Sequence, residues 1–141
     1  MNLDNETLLT LEIAAAPWEL RTMRLQLDTD LAHLPISRNL REQLILAVNE
    51  ACMNVIQHAY RNASHGTIRL RLVHETGLLR FLIEDDAPCI DPSRVTPRDL
   101  SDVRPGGLGV YFIREIMDEM RFHPCHQRGN RLELVKYLDT D

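Results

Sequence analysis

Apolar residues recur along the chain with two different periods, and the switches between them mark out the elements. Thr7–Ile13 (TLLTLEI) is short and rich in β-formers, and the run Ala14-Ala15-Ala16-Pro17 breaks it, which predicts an edge strand. Pro17 suits the first turn of a helix. From Trp18 to Leu34 the apolar positions Leu20, Met23, Leu27, Leu31 and Leu34 step by three or four, as on an amphipathic helix. Trp18 and Met23 fall at helical spacing and are expected in its core face, and Pro35 closes it. Ser37 or Asn39 can cap a second helix running to about Tyr60, with the stripe Leu40, Leu44, Val48, Ala51, Val55 and Ala59.

The period then drops to two. Over Gly66–His74, Ile68, Leu70 and Leu72 alternate with Arg69 and Arg71, as in a half-buried strand. Glu75-Thr76-Gly77 turns the chain, and Leu78–Glu84 makes the hairpin partner. Asp85 to Gly106 carries four prolines and many polar groups and reads as a long loop; loops beyond ~15 residues in compact domains are usually functional or mobile. Gly107–Met120 is helical again, with Val110, Ile113 and Met117 on one side. A short strand near Arg121–Pro124, a turn at Gln127–Asn130 and a strand at Leu132–Leu138 complete the pattern. The order predicts a two-layer α/β sandwich, with helices on one face of a mixed, largely antiparallel sheet.

Composition narrows the picture. The chain's 141 residues, 44% of them hydrophobic and 26% charged, fit one globular domain over residues 1–141. A net charge of −5 argues against a general nucleic-acid binder, which would carry a basic face. No apolar run approaches the ~18 residues of a membrane span. The start is polar and acidic, unlike a signal peptide. Cys52, Cys89 and Cys125 are scattered and lack CxxC spacing, so reduced thiols and a cytoplasmic location are expected. His33, His65, His74, His123 and His126 lack ligand spacing, and no metal cluster is expected of them. The Arg69, Arg71 and Arg80 strand face reads as solvated.

Candidate chemistry concentrates in three places. Glu50, Asn54 and His58 lie four residues apart, so they form a slanting polar stripe bordering the apolar face of the second helix. An Asn oxygen is a hard ligand able to share Mg²⁺ with phosphate oxygens. A Glu one turn earlier can accept the proton of an attacking hydroxyl. Spacing alone does not separate this reading from three solvated helix residues. The run Pro105-Gly106-Gly107-Leu108-Gly109-Val110 precedes a helix, where glycines let a phosphate approach backbone N–H groups. It is no Walker loop, because Gly-Lys-Ser/Thr is absent and Lys136 is the only lysine. Without more, it also reads as a hinge. Asp85 and Asp86 end a strand, where a carboxylate can accept from an adenine amino group or simply open a turn.

Taken in order, these segments resemble the GHKL ATPase superfamily, and within it the anti-sigma-factor serine kinases. Ala47–Tyr60 (AVNEACMNVIQHAY) is similar to that group's N-box, with its Glu, Asn and closing His-Ala-Tyr. Ile83–Pro92 (IEDDAPCIDP) resembles the G1 box, and Gly107–Ile113 (GLGVYFI) the G2 box. Gly129-Asn130-Arg131-Leu132 fits the usual approach to the last strand. The resemblance spans essentially the whole chain.

It implies the Bergerat ATP-binding sandwich, ATP and Mg²⁺ as cofactors, and serine kinase activity. Glu50 would be the general base and Asn54 the Mg²⁺ ligand. Asp85 would contact adenine, with Ala87 beside it, and Gly107, Leu108 and Gly109 would hold phosphates. A lid from about residues 92–106 would bring Arg104 to the terminal phosphate. The implied partners are a STAS-domain antagonist, which is phosphorylated, and a sigma factor or analogous regulator, which is sequestered, by a protein that is often a homodimer. The alternative is a partner-sequestering module of the same fold with little or no catalysis. A detached histidine-kinase domain fits less well, because a dimerisation helix pair with a phospho-accepting His is missing. The chain departs from the family at Ala87, where Gly is usual. If the backbone there needs positive φ, Ala costs roughly 1 kcal/mol, and Pro88 pushes Ala87 toward extended conformations.

Overall fold

The computed structural model describes residues 5–61, 66–89, 107–125 and 127–138, with the backbone alone described for 107–110. Strand β1 (Glu6–Ala14) leads through a 3₁₀ turn (Pro17–Glu19) into helix α1 (Leu20–Leu31). Helix α2 (Arg38–Asn54) follows and ends in a π-helical turn (Val55–Ala59). Strands β2 (Thr67–Glu75) and β3 (Leu78–Asp85) form a hairpin, and helix α3 (Gly107–Ile116) precedes β4 (Glu119–Phe122) and β5 (Arg131–Tyr137).

The strands lie in the order β1-β2-β3-β5-β4. All four pairings are antiparallel, so the expected sandwich is present and its described sheet contains no parallel pair. The chain turns from β2 to β3 at Gly77, whose φ of 77° is one that a side chain disfavours. Strand alternation then decides which residues meet the helices. Ile68, Leu70 and Leu72 of β2, Leu79, Phe81 and Ile83 of β3, and Leu132 and Leu134 of β5 are buried in one cluster. They share that cluster with Leu20, Met23, Leu27 and Leu31 of α1 and Leu44, Val48, Ala51 and Cys52 of α2. Burying each such aliphatic side chain contributes ~1.5–3 kcal/mol, which is what holds the amphipathic helices on the sheet.

Trp18 is the exception to the expected helix face. It is 72% exposed, whereas Met23 is fully buried. The reason is local: Trp18 belongs to the 3₁₀ turn that Pro17 starts, and the α-helical phase begins only at Leu20. The second helix also differs at its end. The Ser37 hydroxyl caps it by accepting from Leu40 N at 3.0 Å, but the last turn before Tyr60 widens from α to π.

The face away from the helices carries paired charge. Arg69 binds Asp86 through both terminal nitrogens, at 2.9 and 3.1 Å. Arg80 donates to Glu75 at 2.6 Å and also to Glu133, and His123 Nε2 lies 2.7 Å from the other oxygen of Glu133. Arg69 and Arg80 are thus neutralised by neighbours on the sheet. Among the described residues no helix is long and apolar enough to cross a membrane.

Candidate functional site

A cleft opens where the end of α2 meets the ends of β3, β4 and β5. Ala51, Asn54, Val55 and His58 line it from the helix side. Ile83 and Asp85 of β3 close its floor, with Met120, Phe122, Asn130 and Leu132 from the last hairpin. The walls are mainly apolar, and polar groups are confined to a few positions, as in many small-molecule sites.

Asn54 sits at the last α-helical position before the π turn, and its Oδ1 is buried without a hydrogen-bond partner. Asp85 is 1% exposed. Its Oδ1 accepts from Ala87 N at 2.9 Å, Asn130 Nδ2 at 2.9 Å and Asn130 N at 3.2 Å, while Oδ2 is buried with no partner. Burial pushes the Asp85 carboxyl above its ordinary value, and the bonds from Asn130 and Ala87 oppose that shift. Leaving buried acceptors unpaired costs ~1–3 kcal/mol each. Two such oxygens on one cleft are available to a hydrogen-bond donor or a cation.

Glu50 lies one helical turn before Asn54 and is half-buried. It is outside the residues that line the cleft. The backbone of Gly107, Leu108 and Gly109 forms the first turn of α3, and α3 packs against α2. The N–H groups of such a turn lack helical partners. Arg104 and the expected lid lie outside the described residues.

Ala87 is fully buried, and its φ is not positive, since Arg61 is the only non-glycine residue with positive φ among those described. The departure from Gly therefore carries no left-handed strain. Ala87 is instead stitched to the turn before β5: its carbonyl accepts from Gly129 N at 2.8 Å, and Pro88 bridges to Arg128. Gly129 has φ 90°, and a Cβ there would lie 3.2 Å from the Asp85 carbonyl.

Two residues of the family-like segments have roles that the residue pattern did not assign. Tyr60 hydroxyl donates to Thr67 O at 2.7 Å and accepts from Thr67 N at 3.2 Å and Asp86 N at 2.7 Å. It ties the end of the helix to the strand ends beside Asp85. Asn130 is the second, gripping Asp85 from the opposite strand; the sequence showed it only as part of a turn and of the family-like approach to the last strand. The expectation of reduced thiols fails for two of the three cysteines. Cys89 and Cys125 form a disulfide with Cα atoms 5.7 Å apart, because the antiparallel run beyond β3 and β5 brings residues 36 apart together. Cys52 is the free thiol, buried and pushed up to about 12 by desolvation.

The sequence profile described as a histidine kinase-like ATPase domain matches residues 13–136. The chain belongs to the histidine kinase-like ATPase family. Similar proteins include the serine-protein kinase RsbW of Bacillus subtilis, 27% identical over 98% of this chain and 90% of its own length. The serine-protein kinase RsbW of Listeria monocytogenes is 25% identical over 93% of this chain and 87% of its own length. Among solved structures, the RsbU and RsbW domains of a Mycobacterium tuberculosis protein superpose with a TM-score of 0.64 at 19% identity, covering 92% of this chain and 32% of that one. The histidine kinase domain of a blue-light activated kinase from Erythrobacter litoralis gives 0.58 at 18% identity, over 89% and 62% of the two chains. These two likenesses concern the fold.

The donor set fits what a family of ATPases requires. Among the described residues no cluster of three His, Cys, Asp or Glu side chains could hold a metal by itself. Mg²⁺ characteristically takes one or two protein groups and completes its shell with phosphate oxygens and water. The unpartnered Asn54 oxygen suits that role, and the unpartnered Asp85 oxygen suits a base amine.

Proposed function

We propose that this chain is an ATP-dependent serine protein kinase working in a partner switch. It phosphorylates a serine on a small STAS-domain antagonist and otherwise sequesters a sigma factor or analogous regulator, acting as a homodimer. The observation that carries the reading is the pair of buried, unpartnered acceptors, Asn54 Oδ1 and Asp85 Oδ2, on residues lining one cleft. Likeness to serine-protein kinases over nearly the full chain supports it.

In this reading Asp85 accepts from the adenine amine and orients the nucleotide. The backbone N–H groups at the start of α3 receive phosphate oxygens. Asn54 supplies a neutral oxygen to Mg²⁺, which when bound offsets phosphate charge. Glu50 takes the proton from the incoming serine hydroxyl, and its half-buried setting limits competing water. The alternative of a module without catalysis drew its strength from Ala87-Pro88. The φ at Ala87 is not positive, so the backbone strain that argument invoked is absent.

Calorimetry and phosphate transfer test both halves. Asn54→Ala should abolish Mg-ATP binding. Glu50→Ala should bind Mg-ATP as the parent does and fail to label a cognate STAS protein from radioactive ATP. No heat of binding by the parent protein at millimolar nucleotide would favour the sequestering module. Undiminished transfer by Glu50→Ala would remove the base assignment.

A further inference from the structure

We propose that Asn130 sets the nucleobase specificity of the cleft, by fixing Asp85 so that a single carboxylate oxygen is left to accept from the base. The inference rests on the nucleotide-binding reading above and adds to it a residue from the opposite strand.

A free carboxylate offers two oxygens and about four lone-pair sites. Both oxygens together match two parallel donors, as they do for an arginine fork. Asp85 is not free in that sense. Three N–H donors converge on its Oδ1, two of them from Asn130. The second hydrogen of the Asn130 amide goes to Pro88 O at 3.0 Å, so the carboxamide is anchored at both hydrogens. The grip is reciprocal along the backbone, where Asp85 N donates to Asn130 O at 3.1 Å. Rotating the carboxylate to offer both oxygens would break the side-chain bond and the backbone bonds to Oδ1 together. Only Oδ2 has unused capacity.

Purines differ on the edge that such a group meets. Adenine presents one exocyclic amine as donor, with a ring acceptor beside it. Guanine presents two adjacent donors, a ring N–H and an exocyclic amine. A carboxylate with one usable oxygen satisfies the first. It leaves one donor of the second unpaired in a buried site, which is the strongest kind of discrimination available to a hydrogen-bonding pocket. Asn130 is a positioning residue in this account, because it acts through Asp85.

The test compares ADP and GDP binding by calorimetry on the parent protein, Asn130→Ala and Asn130→Asp. The parent should prefer ADP by about tenfold or more. Asn130→Ala removes the side-chain bond to Oδ1 and leaves only the two backbone bonds to oppose rotation, so ADP should weaken and the ADP:GDP ratio should fall by about tenfold. General loosening of the fold would weaken both nucleotides alike and leave the ratio unchanged. If Asn130→Ala does not fold, Asn130→Asp is read in its place, since it keeps the shape and loses both amide donors. A folded variant with the parent's ratio overturns this inference and leaves ATP binding intact. A parent that binds ADP and GDP equally also overturns it. A parent that binds neither overturns the nucleotide reading itself, and this inference with it.

Discussion

Tyr60 shows how one side chain can serve both fold and site. Its hydroxyl satisfies Thr67 N, Thr67 O and Asp86 N, where the strand ends meet next to Asp85. Removing only that oxygen, in Tyr60→Phe, should cost ~1–3 kcal/mol in urea unfolding, the usual penalty for backbone groups left unpaired. Gly66 is bound to the same feature. A Cβ there would stand 2.4–2.6 Å from the Tyr60 ring, so Gly66→Ala must displace the ring. The Gly66→Ala/Tyr60→Phe double variant should therefore lose clearly less than the sum of the two singles. Full additivity would show that Gly66 acts elsewhere. Glu133 offers a contrast on the other face. Only 6% of it is exposed, and it depends on Arg80 and His123 for its partners. Arg80→Ala should cost about 2–4 kcal/mol in the same assay, near the penalty for stranding a buried charge. Arg69→Ala, breaking an exposed pair with Asp86, should cost under about 1 kcal/mol. Asn54 and Asp85 were singled out in the sequence through the family-like boxes they stand in, because spacing and a strand end by themselves left solvated residues or a turn equally open. Tyr60 and Asn130 stood in those segments too, but their roles were not legible, because Asp86 and Asp85 lie 26 and 45 residues away from them.

At the level of elements, the helices and strands followed from periodicity to within a few residues. The failures came where local geometry changed without a change of period. The π turn at Val55–Ala59 keeps the apolar pattern of α2 while widening its last turn, and π turns often accompany functional sites. The 3₁₀ turn at Pro17 moved Trp18 out of phase. The disulfide belongs here too, since cysteines 36 residues apart have no local signature. Only the antiparallel continuation of β3 and β5, through Pro88 and Arg128, puts them in reach. Closing a loop of that length stabilises the fold by about 3–4 kcal/mol in the chain-entropy account. Cys125→Ser, or the parent protein held in reductant, should unfold at correspondingly lower urea. Because the bond ties Cys89 beside the Ala87-Pro88 segment, weaker ADP binding should accompany it. An unchanged urea midpoint would mean that hydrogen bonds alone hold the segment.

Across the whole molecule, the sheet separates two kinds of chemistry. The helix face holds the apolar core and the cleft, and the opposite face holds carboxylates paired with arginines. The two faces respond to acid in opposite directions. Hydrogen bonds from Arg80 and Arg69 hold Glu75 and Asp86 below their ordinary values of 4.5 and 3.8. In that window the unfolded chain binds more protons, so these pairs stabilise above pH 4.5 and their contribution is lost as pH falls. Asp85, raised by burial, has the contrary sign: the folded protein holds its proton longer, so stability declines as pH rises past 3.8 toward the raised value. Partial exposure of Glu75 and Arg80, at 24% and 27%, limits their pair to about 1 kcal/mol. Glu75→Gln should accordingly be less stable than the parent near pH 7 and converge with it as pH falls below 4.5 and the parent's carboxylate takes up its proton. Urea midpoints across that range measure the convergence. Curves that stay parallel would show that Glu75 contributes through packing and not through its charge.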